Sequence, residues 1–309
     1  MSNQIAPGVL DSTDEAIISL LEEDGRLTHR EIAAQIDLSR SAAATRVQRL
    51  LSEGHIDVRG VVHPAVLGHD VLAHVSVSVN GSATRVAHAA AARDDTTLVS
   101  MTSGHHALVL EIRAGDIVQI DDALAEVRAI EGIVSTETLL YTEVLRDVAA
   151  PVGRAPAAGS LDETDYALLR ALQSNGRASY VDLAASVGLS PAGARRRVVG
   201  LLAGNVVRVG AVVRHSGHER RTATGIGLRL DGSAHRPITE QIAQWASVTF
   251  AARTLGRYDA LLTVATATSG DLVEVLDHIR DLDGVRETET WSHLRFVKET
   301  YASLHLGVD

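Results

Sequence analysis

Apolar residues recur at helical spacing in two separated stretches of the chain. Ile17, Leu20 and Leu21 make one face, and Leu168, Leu169 and Leu172 make another. Thr28 and Glu31 frame a capping box ahead of Ile32, Ala33 and Ile36. Ser179 and Asp182 do the same ahead of Leu183, Ala184 and Val187. A third helix is predicted after the N-cap residues Ser39 and Ser190, with inward faces Val47, Leu50, Leu51 and Val198, Leu201, Leu202. Gly25 and Gly188 mark breaks between helices. Three short helices in this order form a helix-turn-helix unit. The period then changes. Val75, Val77 and Val79 alternate with Ser76, Ser78 and Asn80, and Ile226, Leu228 and Leu230 alternate likewise, which predicts half-buried strands. A small-residue helix over Ala83–Ala92 has its counterpart at Pro237–Trp245. Strands follow around Thr97–Thr102 and Ala107–Arg113. A helix on Ile120, Leu124 and Val127 is matched by Leu272, Leu276 and Ile279, and a last strand opens near Ile133 and Val285. The order β-α-β-β-α-β is the ferredoxin-like split unit.

The two stretches are copies. Leu10–Val62 and Leu161–Val213 align without a gap at an offset of 151, with 20 of 53 positions identical. At an offset of 152, Thr136-Glu137-Thr138 pairs with Thr288-Glu289-Thr290. One long period in two copies is a tandem duplication, not a solenoid. The predicted fold class is α+β: two tandem copies of a winged-type helix-turn-helix domain followed by a ferredoxin-like domain. The expected boundaries are 1–64 and 65–148 for the first copy and 161–216 and 217–309 for the second. Residues 149–160, AAPVGRAPAAGS, have the composition of a linker.

The chain of 309 residues carries 39 acidic and 29 basic side chains, a net −10, and no cysteine. Disulfides, thiolate catalysis and thiolate zinc sites are excluded. Aromatics at 3% leave little material for extended base stacking. No apolar run approaches the roughly 18 residues of a membrane span, and the N-terminus has no signal-peptide pattern, so a soluble cytoplasmic protein is expected. Charge is unevenly placed, however. Residues 177–214 hold six arginines against one acid, a local +5. Arg40, Ser41, Thr45, Arg46 and Arg49 lie on the third helix of the first copy, and Ser190, Arg195, Arg196 and Arg197 begin or follow in that of the second. At this position of a helix-turn-helix, arginine meets phosphate or guanine, and Ser or Thr meets phosphate or base edges. Double-stranded DNA is the expected partner; the bland alternative is a solvated helix face. Successive helical residues point about 100° apart, so one of the three consecutive arginines is expected to meet backbone or the domain's own acids. Arg26 and Arg177 suit either phosphates or Asp14 and Asp165 of their own domains.

The phrases LDSTDEAIISLLEEDGR, LSRSAAATRVQRL and TLGRYDALLTV, in this domain order, resemble the leucine-responsive regulator/AsnC family of transcription factors, over essentially the whole chain and twice. The resemblance implies a fused pseudo-dimer that regulates transcription, binds an amino acid or related metabolite, and self-associates further. It places the effector at a turn with a Gly-x-Tyr-Asp pattern, here Thr254, Gly256, Arg257, Tyr258 and Asp259, with Asp259 for an α-ammonium and Arg257 for an α-carboxylate. The first copy departs: Thr102, Ser103, Gly104, His105 and His106 are followed by Ala107 instead of Asp. A plain hairpin turn, with Asp259 bonding backbone, is the alternative. His69, His74, His105, His106, His215 and His218 lack acidic or thiolate partners at metal spacing, so neither a metal nor another cofactor is expected, and Trp291 reads as core or interface. Tandem chains of this architecture also resemble siroheme decarboxylases, with Arg208 to His215 as the reminiscent stretch. An enzyme of that kind, or a metabolite sensor without DNA binding, stands as the alternative to a regulator.

Overall fold

The computed structural model describes residues 10–153, 161–213 and 222–300. Each half opens with three helices: α1 (Ser12–Glu23), α2 (His29–Gln35) and α3 (Arg40–Ser52), then α6 (Glu163–Ser174), α7 (Tyr180–Val187) and α8 (Pro191–Ala203). Side-chain caps set where they start. Asp11 and Asp162 form capping boxes with Asp14 and Asp165, Thr28 forms one with Glu31, and Ser39 and Ser190 cap α3 and α8. Gly188 ends α7 in the left-handed conformation.

Each three-helix unit is followed by a strand that the periodicity does not single out, β1 (Ile56–Val62) and β6 (Val207–Val213). These two strands pair with each other, antiparallel, from Ile56 opposite Val213 to Val62 opposite Val207. The ribbon draws both helical units onto one shared core, where Ile17, Leu21, Val47 and Leu50 meet Leu168, Leu172, Val198 and Leu201. The approach is close enough to require glycine. The Gly25 N–H donates to Val209 O and the Gly176 N–H to Val58 O, both at 2.9 Å. A Cβ at Gly176 would stand 2.7 Å from the Val209 side chain and 2.9 Å from the Arg59 backbone.

The rest of the first half is β2 (Val71–Val79), α4 (Ala83–Ala91), β3 (Thr96–Thr102), β4 (Leu108–Ala114), α5 (Ile117–Arg128) and β5 (Ile133–Asp147). The second repeats it as β7 (Thr222–Leu230), α9 (His235–Ile242), β8 (Val248–Leu255), β9 (Ala260–Thr266), α10 (Ser269–Arg280) and β10 (Val285–Glu299). The last strand of each half has 15 residues and serves two sheets. Ile133–Leu140 pairs with β2 and Leu140–Asp147 with β8; Val285–Ser292 pairs with β7 and His293–Glu299 with β3. The two sheets thereby close into one eight-stranded barrel in the order β10-β3-β4-β2-β5-β8-β9-β7. Closure leaves this sheet without an edge.

Barrel closure corrects the reading of the alternating strands. Ala73, Val75 and Val77 pack outward against α4 and α5, as their pattern implies. The polar face between them is withdrawn in part, with Ser76 and Ser78 half-buried and Asn80 exposed at its end. It turns into the barrel, where His74, Glu111 and Arg113 are all buried. Arg113 Nη2 pairs with Glu111 Oε1 at 2.7 Å, and Thr97 Oγ1 donates to the same oxygen at 2.9 Å. The start of the expected linker is also packed: Ala150 is buried against Val61, and the Ala149 and Ala150 N–H groups donate to Asp147. Residues 154–160 lie outside the described residues.

Burial pushes the Asp147 carboxyl up to about 6, against the lowering effect of Arg113 and of the Ala149 N–H. A raised folded pKa means stability that is complete below about pH 4 and lost as pH rises through 6. Asp147→Asn removes that loss. Near pH 7 the variant is expected to be more stable than the parent by about 2 kcal/mol, with the two converging at pH 4. Urea titrations at both pH values check this; a gap independent of pH would contradict it.

Candidate DNA interface and effector site

The third helices present polar residues outward, but not all of those expected. On α3, Arg40, Ser41 and Thr45 are exposed; on α8, Arg195 and Arg196 are. Arg46, Arg49 and Arg197 are turned to their own domains. Arg46 Nη1 reaches Asp11 and Asp14 at 2.8 Å, Arg49 Nη2 reaches Asp14 at 2.5 Å, and Arg197 Nη1 reaches Asp162 and Asp165 at 2.8 and 2.9 Å. These pairs fasten each third helix to the first turn of its first helix. Asp14 is fully buried; burial raises its carboxyl, yet the hydrogen bonds from Arg49, the Asp11 backbone and Arg46 hold it below the usual carboxylate range. Ser190 is occupied as the α8 cap, accepting from the Gly193 N–H at 3.1 Å. Arg195 and Arg196 have no ion-pair partner among the described residues, and the exposed face extends to Gln48, or to Val199 in the second copy. Gln48 lies three residues after Thr45, so spacing alone could have marked it. Glutamine can take adenine bidentately, and an apolar side chain can meet a thymine methyl.

Arg26 and Arg177 do neither thing expected of them. Arg26 donates to Gly176 O and Ala178 O at 2.6 and 3.0 Å. Arg177 donates to Gly25 O and Leu27 O at 2.6 and 2.9 Å. The pair is a reciprocal clamp between the helical units, and each guanidinium satisfies carbonyls left open between the first and second helices of the opposite copy.

The two expected effector turns are built alike. Thr102 Oγ1 donates to His106 O and Thr254 Oγ1 to Tyr258 O, and Gly104 and Gly256 both have positive φ. Closure of the barrel brings both turns to one shallow pocket, lined by Thr102, His105 and His106 from one half and Arg257, Tyr258 and Glu289 from the other. Ser103 and Gly104 sit against Ser292 and Trp291 of β10. Asp259 stands apart from this pocket. Its carboxylate accepts the Leu230 N–H at 2.8 Å and its N–H donates to Leu228 O at 2.8 Å, so it holds the end of β7 and does not stand at the pocket as expected. The carboxylates in place are Glu137 and Glu289. Arg257 Nη1 lies 3.1 Å from Glu137, and Nη2 bonds Glu289 and the Tyr258 hydroxyl. The Arg257 guanidinium also covers the Tyr258 ring at 4.6 Å. His106 is held by Ser78 Oγ at 3.2 Å and by Glu137 at 3.4 Å, while burial and His105 lower its pKa. Both glutamates belong to the repeated Thr-Glu-Thr, the sequence signal that could have found them.

A second cavity, of about 240 Å³, fills the barrel lumen. Strands of both halves line it, and α1 and β6 close it through Glu15, Ile18, Glu22, Ala211 and Val212. Among the described residues no group of His, Asp and Glu has metal-binding geometry, and no helix is long and apolar enough to cross a membrane. His215 and His218 lie outside the described residues.

Comparison with known proteins agrees with this architecture. Residues 10–57 match the winged helix-turn-helix DNA-binding family, residues 161–202 the AsnC-type helix-turn-helix domain, and residues 225–303 the Lrp/AsnC ligand binding domain. The chain is 31% identical over 142 residues to the HTH-type transcriptional regulator FL11 of Pyrococcus furiosus, covering 94% of that protein and 45% of this one. It is 30% identical over 138 residues to an uncharacterized HTH-type transcriptional regulator of Pyrococcus abyssi, covering 87% of it and 44% of this chain. Each of these relatives aligns with less than half of this chain. Across its whole length the fold is like that of the siroheme decarboxylase NirDL in complex with an iron-uroporphyrin III analogue, with a TM-score of 0.61, 13% identity and 93% of each chain covered. Half-chain relatives and domain matches converge: the chain belongs to the Lrp/AsnC family of DNA-binding transcriptional regulators with a ligand-binding domain.

Proposed function

We propose that both helix-turn-helix units of one chain read DNA together, as an internal pseudo-dimer with two unequal half-sites. The observation that carries this is the pairing of β1 with β6, with the Arg26 and Arg177 clamp beside it. It sets the separation of α3 and α8 without a second chain. The exposed side chains differ: Arg40, Ser41, Thr45 and Gln48 on one helix, Arg195, Arg196 and Val199 on the other. A site bound this way has no reason to be a palindrome. The working environment is the cytoplasm, and double-length chains associate further through barrel surfaces. Footprinting on DNA from around the protein's own gene, across a salt series, tests the reading. Two adjacent, dissimilar protected segments support it; no binding at low salt defeats it.

The effector is an amino acid or a close relative held in the pocket between the two turns. Arg257 supplies a fork for the α-carboxylate, and Glu137 or Glu289 receives the α-ammonium. Ligand entry exchanges the Arg257 ion pairs for pairs with the ligand, which couples the site to the contacts between halves. Glu289→Gln is expected to weaken the amino-acid effect on DNA affinity by at least tenfold, while DNA binding without effector stays within twofold. Titrating pooled, then single, amino acids into a DNA-binding assay checks it, and an unchanged response in Glu289→Gln would remove this residue from the site.

The chain is read as non-enzymatic. A uroporphyrin is a polycarboxylate, and a site for it calls for several cationic side chains. Among the described residues, the cavity lining carries carboxylates, and Arg113, which turns into the barrel, is paired with Glu111. Absence of a tetrapyrrole absorbance band after reconstitution is the expected result.

A further inference from the structure

We propose that the barrel lumen is a ligand site separate from the turns, and that it takes a small neutral aromatic molecule bearing one hydrogen-bond acceptor. The cavity, about 240 Å³, is larger than the roughly 150 Å³ apolar cavity that accepts benzene, and it lies just under the roughly 300–1,000 Å³ of sites for larger ligands. Leu98, Val109 and Leu261 give it aliphatic walls. Both phenylalanines of the chain, Phe250 and Phe296, line it together with Tyr141 and Trp291. The Tyr141 and Phe250 rings stand 5.5 Å apart, and His74 stands 5.9 Å from Trp291. Such walls reward burial of a flat apolar body.

Trp291 calls for the acceptor. Gly225 is paired with Trp291 on one side and with Thr263 on the other, and both of these neighbours line the lumen. The indole lies over the Gly225 backbone: a Cβ there would stand 2.1 Å from Trp291 Cε2 and 2.2 Å from Nε1. In the first copy the same register sets Leu139 opposite His74, so the second copy's glycine makes the room that this indole occupies. The Trp291 Nε1–H is buried and has no hydrogen-bond partner among the described residues. A buried donor without an acceptor carries its full desolvation penalty, which a carbonyl oxygen of a ligand relieves. Trp291 and Val109 also line the pocket at the turns, so these two side chains stand between the two sites.

The acids at the lining are matched within the chain, which is why the ligand is neutral. Glu111 pairs with Arg113, and Asp147 accepts the Ala149 and Ala150 N–H groups. Arg208 stands beside Asp147 and Glu22, donating to their carbonyl oxygens at 2.6 and 2.8 Å. Glu22 and Glu299 have interactions of their own, and Glu15 lies in the first turn of α1, where the helix end favours a carboxylate. His74 is buried and lowered to about 3, by desolvation first and then by His293 and His106, so its imidazole is neutral. A charged ligand would lose its hydration here without a matched counter-charge in return. An occupant of the lumen also touches Ile18 of α1 and Ala211 and Val212 of β6, so it contacts the barrel and both helical units at once.

The test uses the full chain with Trp245→Phe and nitrogen-labelled tryptophan, so that the indole N–H resonance belongs to Trp291 alone. Three probes share one heavy-atom skeleton: acetophenone, which carries an acceptor, α-methylstyrene, which has a methylene in place of that oxygen, and the anion benzoate. Acetophenone is expected to bind saturably in calorimetry, with a Kd below millimolar, and to move the Trp291 indole proton downfield as the hydrogen bond forms. The styrene should bind about fivefold more weakly without the downfield shift, and benzoate should not bind. Trp291→Phe keeps an aromatic ring and removes the donor, so it should bring the two neutral probes to about equal affinity. Ala265 lines the lumen and not the pocket at the turns, so loss of binding in Ala265→Phe separates this site from the amino-acid site. If Ala265→Phe does not fold, Ala223→Leu, at the strand position paired with Ala265, fills the same space. The proposal is overturned by no saturable binding of acetophenone, by equal binding of benzoate or of the styrene, or by binding that survives the filled lumen.

Discussion

Arg195→Ala combined with Arg196→Ala lowers specific DNA affinity by about 10²–10³-fold and reduces the slope of log affinity against log salt by about 2. The expectation rests on which arginines are free. Arg195 and Arg196 are exposed on α8, without an ion-pair partner among the described residues, so their charge is available to phosphate or guanine. Arg197, next in sequence, is committed to Asp162 and Asp165. Arg197→Ala is therefore the control. It loosens α8 from α6 and lowers the melting temperature, yet leaves the salt slope unchanged, because it removes no counterion-releasing contact. Fluorescence anisotropy with a footprinted duplex, between about 50 and 200 mM salt, measures both quantities. If Arg197→Ala lowers the slope as much as the Arg195 and Arg196 pair, the assignment of the α8 face is wrong.

These neighbouring arginines show how far the sequence could be read. Helical spacing and charge placed all three on a reading helix, and the 100° step required that one turn inward. Which one depends on where the first turn of α6 lies, a tertiary fact. The six helices of the two units and the β-α-β-β-α-β order were legible because capping boxes and alternation are local signals. β1 and β6 were not. Each is a short strand whose partner sits about 150 residues away, and neither has a hairpin turn to announce it. The same gap hid the roles of Arg26 and Arg177, whose acceptors are carbonyls of the opposite copy.

The two turns were legible as backbone, but the structure does not put Asp259 at the pocket between them. The Gly-x-Tyr-Asp pattern located the pocket, but Asp259 bonds the end of β7, and Glu137 and Glu289 enter from strands far along the chain. Barrel closure, which depends on β5 and β10 being long enough to pair on both sides, converts outward-reading polar positions such as His74 into lumen walls.

Asp14→Ala should cost about 3 kcal/mol of stability. Asp14 is fully buried, caps α1 reciprocally with Asp11, and takes hydrogen bonds from both Arg46 and Arg49. Its removal leaves two guanidiniums turned toward a carboxylate that is gone, and it loosens α3 as well as the α1 cap. Both arginines are about a quarter exposed, at 26%, so water recovers part of the loss, and the lower end of the range for a broken buried pair applies. The duplicate provides an internal comparison. Asp165 meets Arg197 alone, because Gly200 stands where the first copy has Arg49. Asp165→Ala should therefore cost distinctly less. The pH dependence follows from the sign of the shift. The folded carboxyl of Asp14 lies below its ordinary value, so its contribution is present above about pH 4 and is lost as pH falls through the folded value. Urea titrations of the parent and both variants, taken from pH 7 downward, should show a wide gap for Asp14→Ala that narrows as the pH falls below about 4. An equal loss for the two aspartates, or a gap that does not narrow in acid, would show that packing and not the shared carboxylate holds α3 to α1.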